Sequence, residues 1–523
     1  MIINGKNISI LDCTLRDGGY YTNWDFPYSL VEKYLKAVNS LPIDYVELGY
    51  RSAETDSYHG QYDYLPDFVL KQCQQLCPDK KRAVMVNLKE VNQDNVSVLL
   101  GDISEYVDMI RFATRPNDIE KAIAIARIAK NQGLETAVNI MYMSTWVENP
   151  SFAELLGNAD KYVDCVMMVD SYGSVYPEQI ADCVKKLRMH YKGKIGFHGH
   201  NNLELAFANT RAAIEAGIDI VDATISGMGR GAGNLRMELM MTYCTRFDSS
   251  LSLNTMMETL EDFETLRHNY GWGTNLPYMI SGCNSLPQKD IMEWITKKRY
   301  SAESIVRRLQ AHIKQTESEF VCPVLCETAD SETVTILIGG GESVIAHIDA
   351  IIEFIRRQTK NVNLIFSSSK HLYLFDSLPE DVDRYIYLVG IEGKRLEKHI
   401  SSVRKSDRFV ITPQSPNMST YIPLNLDKQV YVLPLNYSTE MEKNMADSPL
   451  YVSIKIAMYL KAEEILLAGY DGYGTDAKSD KFDMMEENQS VVSFFAPQIR
   501  MLSLLPTKYH NLKELSVYFL LTK

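Results

Sequence analysis

Short apolar runs alternate with longer amphipathic segments over the first 245 residues of the chain. The runs lie at positions 8–13, 45–49, 83–87, 109–112, 136–141, 165–170, 194–198 and 220–224. A segment with helical spacing of apolar residues follows each run; the one at 118–132, for example, ends at a glycine. Uninterrupted apolar strands are typical of parallel sheets that are covered on both faces. Eight such units predict a (β/α)8 TIM barrel, with a doubly wound open sheet as the alternative.

The remaining chain predicts two further regions. The barrel domain would span 1–250, and the helix-rich residues 251–325 would form a helical extension of it. A charged segment at 314–330 is typical of a linker. From residue 333 onwards strands and helices alternate again, which predicts a second, smaller α/β domain of Rossmann-like type over 331–523.

Three consecutive glycines, Gly339, Gly340 and Gly341, follow the first predicted strand of the second domain and precede a helix. The amide groups at the start of such a helix can hold a phosphate. The triplet does not have the spacing of the dinucleotide-binding fingerprint, and a tight structural turn explains the glycines equally well. Both interpretations stay open at this point.

Composition narrows the classes of protein to which the chain can belong. The 523 residues carry a formal net charge of −13, which disfavours binding to nucleic acid and to anionic membranes. The apolar runs are shorter than the roughly 18 residues that a membrane span needs, and the N-terminus shows no signal-peptide pattern. The nine cysteines include no Cys-x-x-Cys pair. We therefore expect a cytoplasmic protein with reduced, mostly buried thiols.

Two histidines stand at the end of the seventh predicted strand. His198 and His200 are two residues apart, and alternate residues of a strand point to the same face. Imidazole suits Mn, Fe, Co and Zn ions, although the pair alone could be two hydrogen-bonded loop residues. In a closed barrel, Asp17 at the end of the first strand lies only two strands away from them. Asp17, His198 and His200 therefore predict a metal site with open positions for a substrate.

Three motifs at the ends of predicted strands one, seven and eight resemble those of a known family. They are DCTLRDG at 12–18, HGHNN at 198–202 and GRGAGN at 229–234. Together they resemble the DRE-TIM metallolyase superfamily, which includes 3-hydroxy-3-methylglutaryl-CoA lyase, isopropylmalate and homocitrate synthases, and 4-hydroxy-2-oxovalerate aldolase. The His-Gly-His-Asn-Asn motif is most similar to that of the aldolases. The resemblance covers about residues 5–300, a little more than half of the chain.

The resemblance implies roles for individual residues. Asp17, His198 and His200 would hold a divalent metal ion, Mn²⁺ or Mg²⁺. Arg16 would stabilise the enolate of pyruvate, because a guanidinium group keeps its charge beside a developing negative oxygen. Ser171 would help to bind the pyruvate carboxylate. The implied reaction forms or cleaves a carbon–carbon bond of a 4-hydroxy-2-oxo acid, with pyruvate and an aldehyde as partners.

Three more polar residues stand at predicted strand ends. Asn234 occupies the family position for a metal ligand or for a group that orients one, and its alternative role is to cap the loop after strand eight. Glu47 and Asp170 lie in the end portions of predicted strands two and six. Each would orient the metal site, or in the case of Glu47 also Arg16, with an ordinary salt bridge as the alternative.

The general base departs from the aldolase pattern. Those enzymes carry a histidine three residues after the motif aspartate, where this chain has Tyr20. A tyrosine titrates near 10, so Tyr20 would need help from the metal ion or from Arg16 to accept the 4-hydroxyl proton. Tyr50, Tyr172 and His59 are the alternatives. Two other functions also stay open: an acyl-CoA-dependent Claisen condensing synthase, and a binding protein whose barrel is not catalytic.

The second domain resembles, more weakly, the Rossmann-like domains of bacterial sialyltransferase-like and flagellin-glycosylation-associated proteins. The matching stretches lie at 338–343 and 468–471. This resemblance implies a nucleotide or nucleotide-sugar ligand and a place in surface-polysaccharide or unusual-sugar biosynthesis. The alternative is a domain that serves assembly, for instance that of a homo-oligomer.

Overall fold

The computed structural model describes residues 1–55, 57–147, 150–315, 322–326, 333–413, 420–473 and 479–523. The chain divides into two compact units, Met1–Glu293 and Trp294–Lys523. The three predicted segments, 1–250, 251–325 and 331–523, remain a prediction. Most of the predicted linker at 314–330 lies outside the described residues.

Eight parallel strands of the first unit form a closed barrel. They are β1 (Ser9–Asp12), β2 (Tyr45–Tyr50), β3 (Lys81–Asn87), β4 (Met109–Thr114), β5 (Glu135–Ile140), β6 (Cys165–Asp170), β7 (Lys194–Gly199) and β8 (Ile220–Ala223). Each strand pairs with its neighbour in chain order, and β8 closes the ring by pairing with β1, so that Ile220 lies opposite Ser9. This closure confirms the predicted TIM barrel and rules out the open sheet.

Helices connect the strands and continue beyond the barrel. Those that begin in the first unit are α1 (Thr14–Thr22), α2 (Tyr28–Ser40), α3 (Gln61–Tyr64), α4 (Asp67–Leu76), α5 (Val96–Leu100), α6 (Ile119–Asn131), α7 (Pro150–Leu155), α8 (Pro177–His190), α9 (Ala206–Ala216), α10 (Met237–Cys244), α11 (Asn254–Tyr270), α12 (Leu276–Cys283) and α13 (Gln288–Thr296). Helix α1 begins two residues after β1, so Arg16 and Asp17 lie in its first turn at the carboxyl end of the barrel.

A cluster of small and apolar side chains fills the inside of the barrel. Its members are Leu11, Cys13, Tyr45, Ala83, Met109, Ala137, Cys165, Met167 and Ile220. A separate and larger apolar layer packs the strands against the surrounding helices. The barrel interior is thus a packed core and not a channel, and in this fold the polar chemistry is placed at the carboxyl ends of the strands.

An open sheet of eight parallel strands forms the second unit. Its strands are β9 (Thr333–Ile338), β10 (Asn361–Phe366), β11 (Asp383–Tyr387), β12 (Arg408–Ile411), β13 (Val430–Val432), β14 (Glu464–Ala468), β15 (Arg500–Ser503) and β16 (Lys513–Glu514). Its helices are α14 (Ala302–Lys314), α15 (Ser343–Ala346), α16 (Ile348–Arg356), α17 (Glu392–Glu397), α18 (Glu440–Asn444), α19 (Pro449–Tyr459), α20 (Ser479–Phe495) and α21 (Val517–Leu520). The spatial order β13-β12-β11-β10-β9-β14-β15-β16 confirms the predicted second α/β sheet.

The glycine triplet lies where this strand order reverses, between β9 and β14. A Cβ atom at Gly339 or Gly341 would lie 2.5 or 2.6 Å from the carbonyl oxygen of Gly469, so the two loops pack too closely for side chains. Asp471 accepts hydrogen bonds from the amide of Ser343, at 3.0 Å, and from its hydroxyl. A carboxylate therefore occupies the start of α15. Close packing accounts for two of the glycines, and the nucleotide ligand stays a prediction.

Among the helices of the described part, none is both long and apolar enough to cross a membrane. No two of the nine cysteines form a disulfide bond, and six of the nine are buried, in agreement with the expected mostly buried thiols.

Candidate active site

The three predicted metal ligands lie close together at the mouth of the barrel. Asp17 lies on α1, His198 on β7, and His200 directly follows β7. The Nε2 atom of His198 is 3.4 Å from Asp17 Oδ2 and 3.3 Å from His200 Nε2. Ligands that share a metal ion at bond lengths of about 2.1 Å lie about 3.0–3.4 Å apart. His198 Nε2 thus has the spacing from both partners that shared coordination requires.

Hydrogen bonds at the Nδ1 atoms direct the two Nε2 lone pairs toward each other. His198 Nδ1 is 2.9 Å from Asp222 Oδ2, and His200 Nδ1 is 2.9 Å from the Ser171 carbonyl oxygen. The Asp222 carboxylate and the Ser171 carbonyl oxygen are both hydrogen-bond acceptors, so each Nδ1 must carry a proton. In a neutral imidazole, Nε2 is then left as an electron-pair donor. Burial, together with the positive charge of His198 when that imidazole is protonated, lowers the pKa of His200 to about 4 and keeps His200 neutral. Burial would lower the pKa of His198 as well, but its hydrogen bonds to Asp17 and Asp222 raise it above the usual value, so a proton and a metal ion would compete for its Nε2. Two lone pairs beside the Asp17 carboxylate suit a cation.

Cys13 is a fourth potential ligand, which competes with His200 for the third position. Cys13, Asp17 and His198 each offer an atom that could bind a metal, and these atoms lie within 4.8 Å of one another. However, Cys13 Sγ lies 3.9 Å from His198 Nδ1, the nitrogen that faces Asp222, and it donates to the Ala223 carbonyl oxygen at 3.7 Å. Burial raises the pKa of the Cys13 thiol well above its usual value. The thiol is therefore protonated and lies on the Nδ1 edge of the imidazole.

Six buried side chains form a closed ring of polar contacts across the barrel mouth. The contacts are Arg16–Glu47 at 2.8 Å, Glu47–Arg111 at 3.0 Å, Arg111–Asp222 at 2.6 Å, Asp222–His198 at 2.9 Å, His198–Asp17 at 3.4 Å and Asp17–Arg16. Two arginines against three carboxylates leave one net negative charge when His198 is neutral. An uncompensated buried charge is costly, so a cation in the site or a proton on His198 completes the ring.

Two members of this ring, Arg111 and Asp222, are absent from the residues predicted from the sequence. Each is a single charged residue in an otherwise apolar strand, β4 and β8 respectively. Their exposed fractions are 0% and 2%. A charge inside a strand covered on both faces must find a partner, and this was the signal available in the sequence. The sequence does not say which partner it finds.

Arg16 is held between two carboxylates. Its Nε donates to Glu47 Oε2 at 2.8 Å, and its Nη1 donates to Asp17 Oδ1. Burial would raise the pKa of Asp17, but the Arg16 guanidinium and the hydrogen bond to His198 hold it well below its usual range. Asp17 is therefore ionised, and Glu47 makes the contact with Arg16 that one of its two predicted roles requires.

Two glycines allow α1 to lie against the barrel mouth. A Cβ atom at Gly18 would lie 2.4 Å from Met228 Sδ, and one at Gly19 would lie 2.0 Å from the Trp24 ring. Trp24 Nε1 in turn donates to the Arg16 carbonyl oxygen at 2.8 Å. The glycines of the motif thus serve the close packing that fixes the first turn of α1.

Asn234 contacts Asp17 directly. Its Nδ2 donates to Asp17 Oδ2 at 2.5 Å and to the Met228 carbonyl oxygen at 3.3 Å. Its Oδ1 is buried and has no hydrogen-bond partner among the described residues. A buried oxygen without a partner beside an ionised carboxylate can be satisfied by a cation. The contacts of Asn234 fit both of its predicted roles, one at the metal site and one in the loop after β8.

Asp170 is buried at the end of β6 and contacts its own loop. It accepts hydrogen bonds from the amides of Ser174 at 3.0 Å and Val175 at 3.3 Å. Burial raises the pKa of Asp170 to about 7, against these hydrogen bonds, which lower it. Within the described part of the chain its side-chain hydrogen bonds therefore support the turn after β6, and none of them reaches Asp17, His198 or His200.

Ser171 joins the loops that follow β5 and β7. Its Oγ accepts a hydrogen bond from the Tyr142 amide at 2.9 Å, and its carbonyl oxygen accepts from His200 Nδ1 at 2.9 Å. Tyr142 has a φ of +59°, in the left-handed region that non-glycine residues rarely adopt. The hydroxyl proton of Ser171 stays available for an acceptor such as a carboxylate.

Tyr20 lies in an aromatic group at the mouth. Its hydroxyl is 2.9 Å from the hydroxyl of Tyr50, and its ring centre is 4.9 Å from that of Trp24. The Arg230 guanidinium lies 4.6 Å from the centre of the Tyr20 ring. Burial raises the pKa of Tyr50 well above its usual value, so Tyr50 keeps its proton and can donate it to the Tyr20 oxygen.

The other two alternative bases lie apart from each other. The ring of His59 is 5.4 Å from that of Trp24, and its Nδ1 is 2.6 Å from Asp63 Oδ2. His59 thus belongs to the same aromatic group as Tyr20. Tyr172 instead packs on Tyr142, with 5.2 Å between the ring centres, in the loops after β5 and β6.

Comparison with known proteins identifies the family to which this chain belongs. The profile of the HMGL-like family matches residues 7–263. A 4-hydroxy-2-oxovalerate aldolase from Roseiflexus castenholzii is 30% identical over 251 residues, which are 47% of this chain and 73% of the relative. The chain belongs to the HMGL-like family. This result confirms the resemblance to the DRE-TIM metallolyase superfamily.

Other relatives of this HMGL-like chain carry two activities in their names. An oxaloacetate decarboxylase from Mycobacterium tuberculosis is 29% identical over 245 residues, 45% of this chain and 70% of the relative. The crystal structure of the N-terminal domain of a candidate aldolase from Bacteroides vulgatus is 46% identical, with a TM-score of 0.54, and the match covers 57% of this chain and 99% of that domain. The resemblance of the second unit to sialyltransferase-like domains stays a prediction.

Proposed function

We propose that the protein is a divalent-metal-dependent aldolase that forms or cleaves a 4-hydroxy-2-oxo acid through the enolate of pyruvate. The convergence of Asp17, His198 and His200 beside Arg16, in an HMGL-like barrel, carries this proposal. The names of the relatives support it. Cleavage of a 4-hydroxy-2-oxo acid and decarboxylation of oxaloacetate both leave the same enolate.

The metal ion would be Mn²⁺ or Mg²⁺, held by Asp17, His198 and His200. When bound, it supplies a Lewis acid that stabilises negative charge on an enolate oxygen. The free Nε2 lone pairs of the histidines and the net negative charge of the ring support this ligand set. We prefer His200 to Cys13 as the third ligand, because the Cys13 thiol is protonated and faces the wrong edge of His198.

Arg16 and Ser171 would bind pyruvate. Nε and Nη1 of Arg16 are engaged by Glu47 and Asp17, which fixes the guanidinium and leaves Nη2 for a substrate oxygen. A fixed positive charge stabilises an enolate without the cost of reorganising the site during the reaction. The Ser171 hydroxyl, whose oxygen is already held by the Tyr142 amide, would donate its proton to the substrate carboxylate.

Tyr20 would accept the proton of the 4-hydroxyl group. As that proton leaves, the C3–C4 bond breaks, the aldehyde carbonyl forms, and the bonding electron pair passes to the pyruvate enolate, which is then protonated to pyruvate. The hydroxyl of Tyr50 can donate a hydrogen bond to the Tyr20 oxygen, and the guanidinium of Arg230 lies over the Tyr20 ring. These contacts support Tyr20 over Tyr172.

The Tyr20→Phe variant is expected to separate the two halves of the reaction. It should lower the rate of aldol cleavage by about 10²–10⁴-fold, because it removes the base, and it should leave exchange of the pyruvate methyl protons with D₂O within a few-fold of wild type. Pyruvate release and proton exchange are measured on the same preparations. The matched variant His59→Gln tests the alternative base, and loss of cleavage in that variant alone would assign the role to His59.

Metal removal tests the proposed function as a whole. Dialysis against EDTA should abolish exchange of the pyruvate methyl protons, and added Mn²⁺ or Mg²⁺ should restore it. The ion should also stabilise the fold by about 2.7 kcal/mol at a concentration 100 times its dissociation constant, seen as a higher unfolding temperature. Thiol release from acetyl-CoA, without pyruvate exchange, would instead favour the Claisen synthase. A protein that shows neither activity and binds no divalent ion would have a non-catalytic barrel.

A further inference from the structure

A cavity of about 610 Å³ opens at the barrel mouth between the loops that follow β4 and β5. Its lining is Arg115, Pro116, Asn117, Ile119, Glu120, Tyr142, Thr145, Trp146, Phe152 and Leu155. The volume lies within the roughly 300–1,000 Å³ of small-molecule sites. The proposed reaction assigns no part to this cavity.

The cavity is linked to the proposed metal site by two successive hydrogen bonds. Tyr142 lines the cavity, and its amide donates to Ser171 Oγ at 2.9 Å. The Ser171 carbonyl oxygen accepts from His200 Nδ1 at 2.9 Å. The left-handed backbone of Tyr142 is costly for a tyrosine, and it holds the residue between the cavity and the metal ligand. Tyr142 therefore separates the cavity from Ser171 and from the Nδ1 edge of His200.

The wall and the rim of the cavity differ in chemistry. Tyr142, Trp146 and Phe152 form an aromatic wall, in which the rings of Trp146 and Phe152 stack with 4.6 Å between their centres. Such a wall packs well against the carbon atoms of a ligand. Asn117 and Thr145 are exposed at the rim, where their polar groups can bind hydroxyl groups.

Arg115 is the cavity's positive charge. Its side chain is exposed and makes no hydrogen bond or ion pair with the residues that the structure describes, whereas the buried Arg16 and Arg111 at the same mouth are both paired with carboxylates. Glu120, the lining carboxylate, lies in the first turn of α6, where a negative charge stabilises the helix. That explains Glu120 without a ligand. Arg115 is solvated, and no contact of its side chain holds it elsewhere in the described part of the chain, so its guanidinium group is available to an anion in the cavity.

We infer that this cavity binds the far end of the aldehyde partner, and that this end is a hydroxylated carbon chain with a terminal carboxylate or phosphate bound by Arg115. Guanidinium groups form paired, charge-assisted hydrogen bonds with both anions. The inference rests on the proposed function, because it names the class of the second substrate. In this arrangement the carbon chain of the aldehyde would pass Tyr142, with its carbonyl group near the metal ligands and its anionic group at Arg115.

The test compares aldehydes in condensation with pyruvate, using the full chain loaded with Mn²⁺. Succinic semialdehyde carries a carboxylate, glyceraldehyde 3-phosphate carries a phosphate, and glyceraldehyde is the uncharged reference. Wild type should prefer at least one anionic aldehyde about 10-fold or more in kcat/KM. Arg115→Gln should lower kcat/KM for that aldehyde by about 10–100-fold, the range of a lost charge-assisted hydrogen bond, and leave glyceraldehyde within about two-fold.

A binding measurement that needs no catalysis accompanies the kinetics. Calorimetry with glycerol 3-phosphate and with 4-hydroxybutyrate should show binding of one probe to wild type, and binding at least about 10-fold weaker to Arg115→Gln. The control is Arg246→Gln, which changes an exposed arginine that does not line the cavity. The inference is overturned if wild type shows no anion preference, or if Arg115→Gln and Arg246→Gln behave alike.

Failure of this inference can be told apart from failure of the proposed function. Exchange of the pyruvate methyl protons involves no aldehyde and reports on the metal site alone. If exchange occurs but Arg115→Gln changes neither selectivity nor probe binding, only the cavity assignment is wrong. If exchange does not occur with any divalent ion, the proposed function itself is wrong.

Discussion

The Asp17→Asn variant is expected to bind Mn²⁺ at least about 100-fold more weakly than wild type and to lose pyruvate proton exchange. Groups that merely orient a metal ligand contribute about 10–100-fold to affinity, and a charged ligand should contribute at least as much. Asparagine has the size of aspartate but not its charge. The variant therefore tests the ligand and not the packing around it.

The net charge of the ring also predicts how Asp17→Asn changes the unfolding temperature. In the wild type, three carboxylates face two arginines, so one negative charge is uncompensated without a cation. In Asp17→Asn the charges balance. The metal-free variant should therefore unfold at a temperature no lower than that of the metal-free wild type, while Mn²⁺ should no longer raise it. A misfolded variant would show the opposite, a lower unfolding temperature in both conditions.

Metal content after dialysis, calorimetric affinity and pyruvate proton exchange by NMR measure the effect. Asp248→Asn is the matched control, since Asp248 is a surface carboxylate that binds Ser250 in its own turn. Cys13→Ser tests the competing ligand and should keep wild-type affinity. If Asp17→Asn binds Mn²⁺ like wild type, or if Cys13→Ser loses it, our ligand set is wrong.

The barrel and the clustering of Asp17, His198 and His200 were predictable because their signals are local. A strand covered on both faces must be apolar along its whole length, so each of the eight strands is visible without knowledge of its neighbours. Their proximity follows once the barrel is accepted, because barrel closure brings the ends of β1 and β7 to one mouth. His198, His200 and Asp17 then lie close together for topological reasons, as the distances among them show.

The rest of the site depends on contacts between residues far apart in sequence. Arg111 and Asp222 are 111 residues apart and meet only because β4 and β8 face each other across the closed barrel. The cavity likewise forms between two loops, and its size depends on how the side chains of Tyr142 and Trp146 pack. Neither feature has a periodic or motif-like signal in the chain.

The ring of charges leads to the second large expected effect, on stability. Replacing Arg111 by methionine leaves Glu47 and Asp222 each with one partner fewer in a site that solvent does not reach. Breaking a buried ion pair by removing one partner costs about 3–5 kcal/mol. The metal-free variant Arg111→Met should therefore lose about that much unfolding free energy, measured by urea denaturation. Asp222→Asn in the same chain should recover part of the loss, since it removes one of the two unpaired charges.

The second unit provides a matched control for this experiment. Arg384 is equally buried and donates to Asp407 through Nε at 2.8 Å and through Nη2 at 2.7 Å. Arg384→Met should therefore destabilise its own unit by a similar amount.

The two variants differ in their expected response to a cation. Arg111→Met leaves two net negative charges in the ring, so Mn²⁺ should raise its stability more than it raises that of wild type, while the second unit of Arg384→Met should not respond. If Mn²⁺ changed the stability of the two variants equally, the charge of the ring would not contribute to binding of the cation.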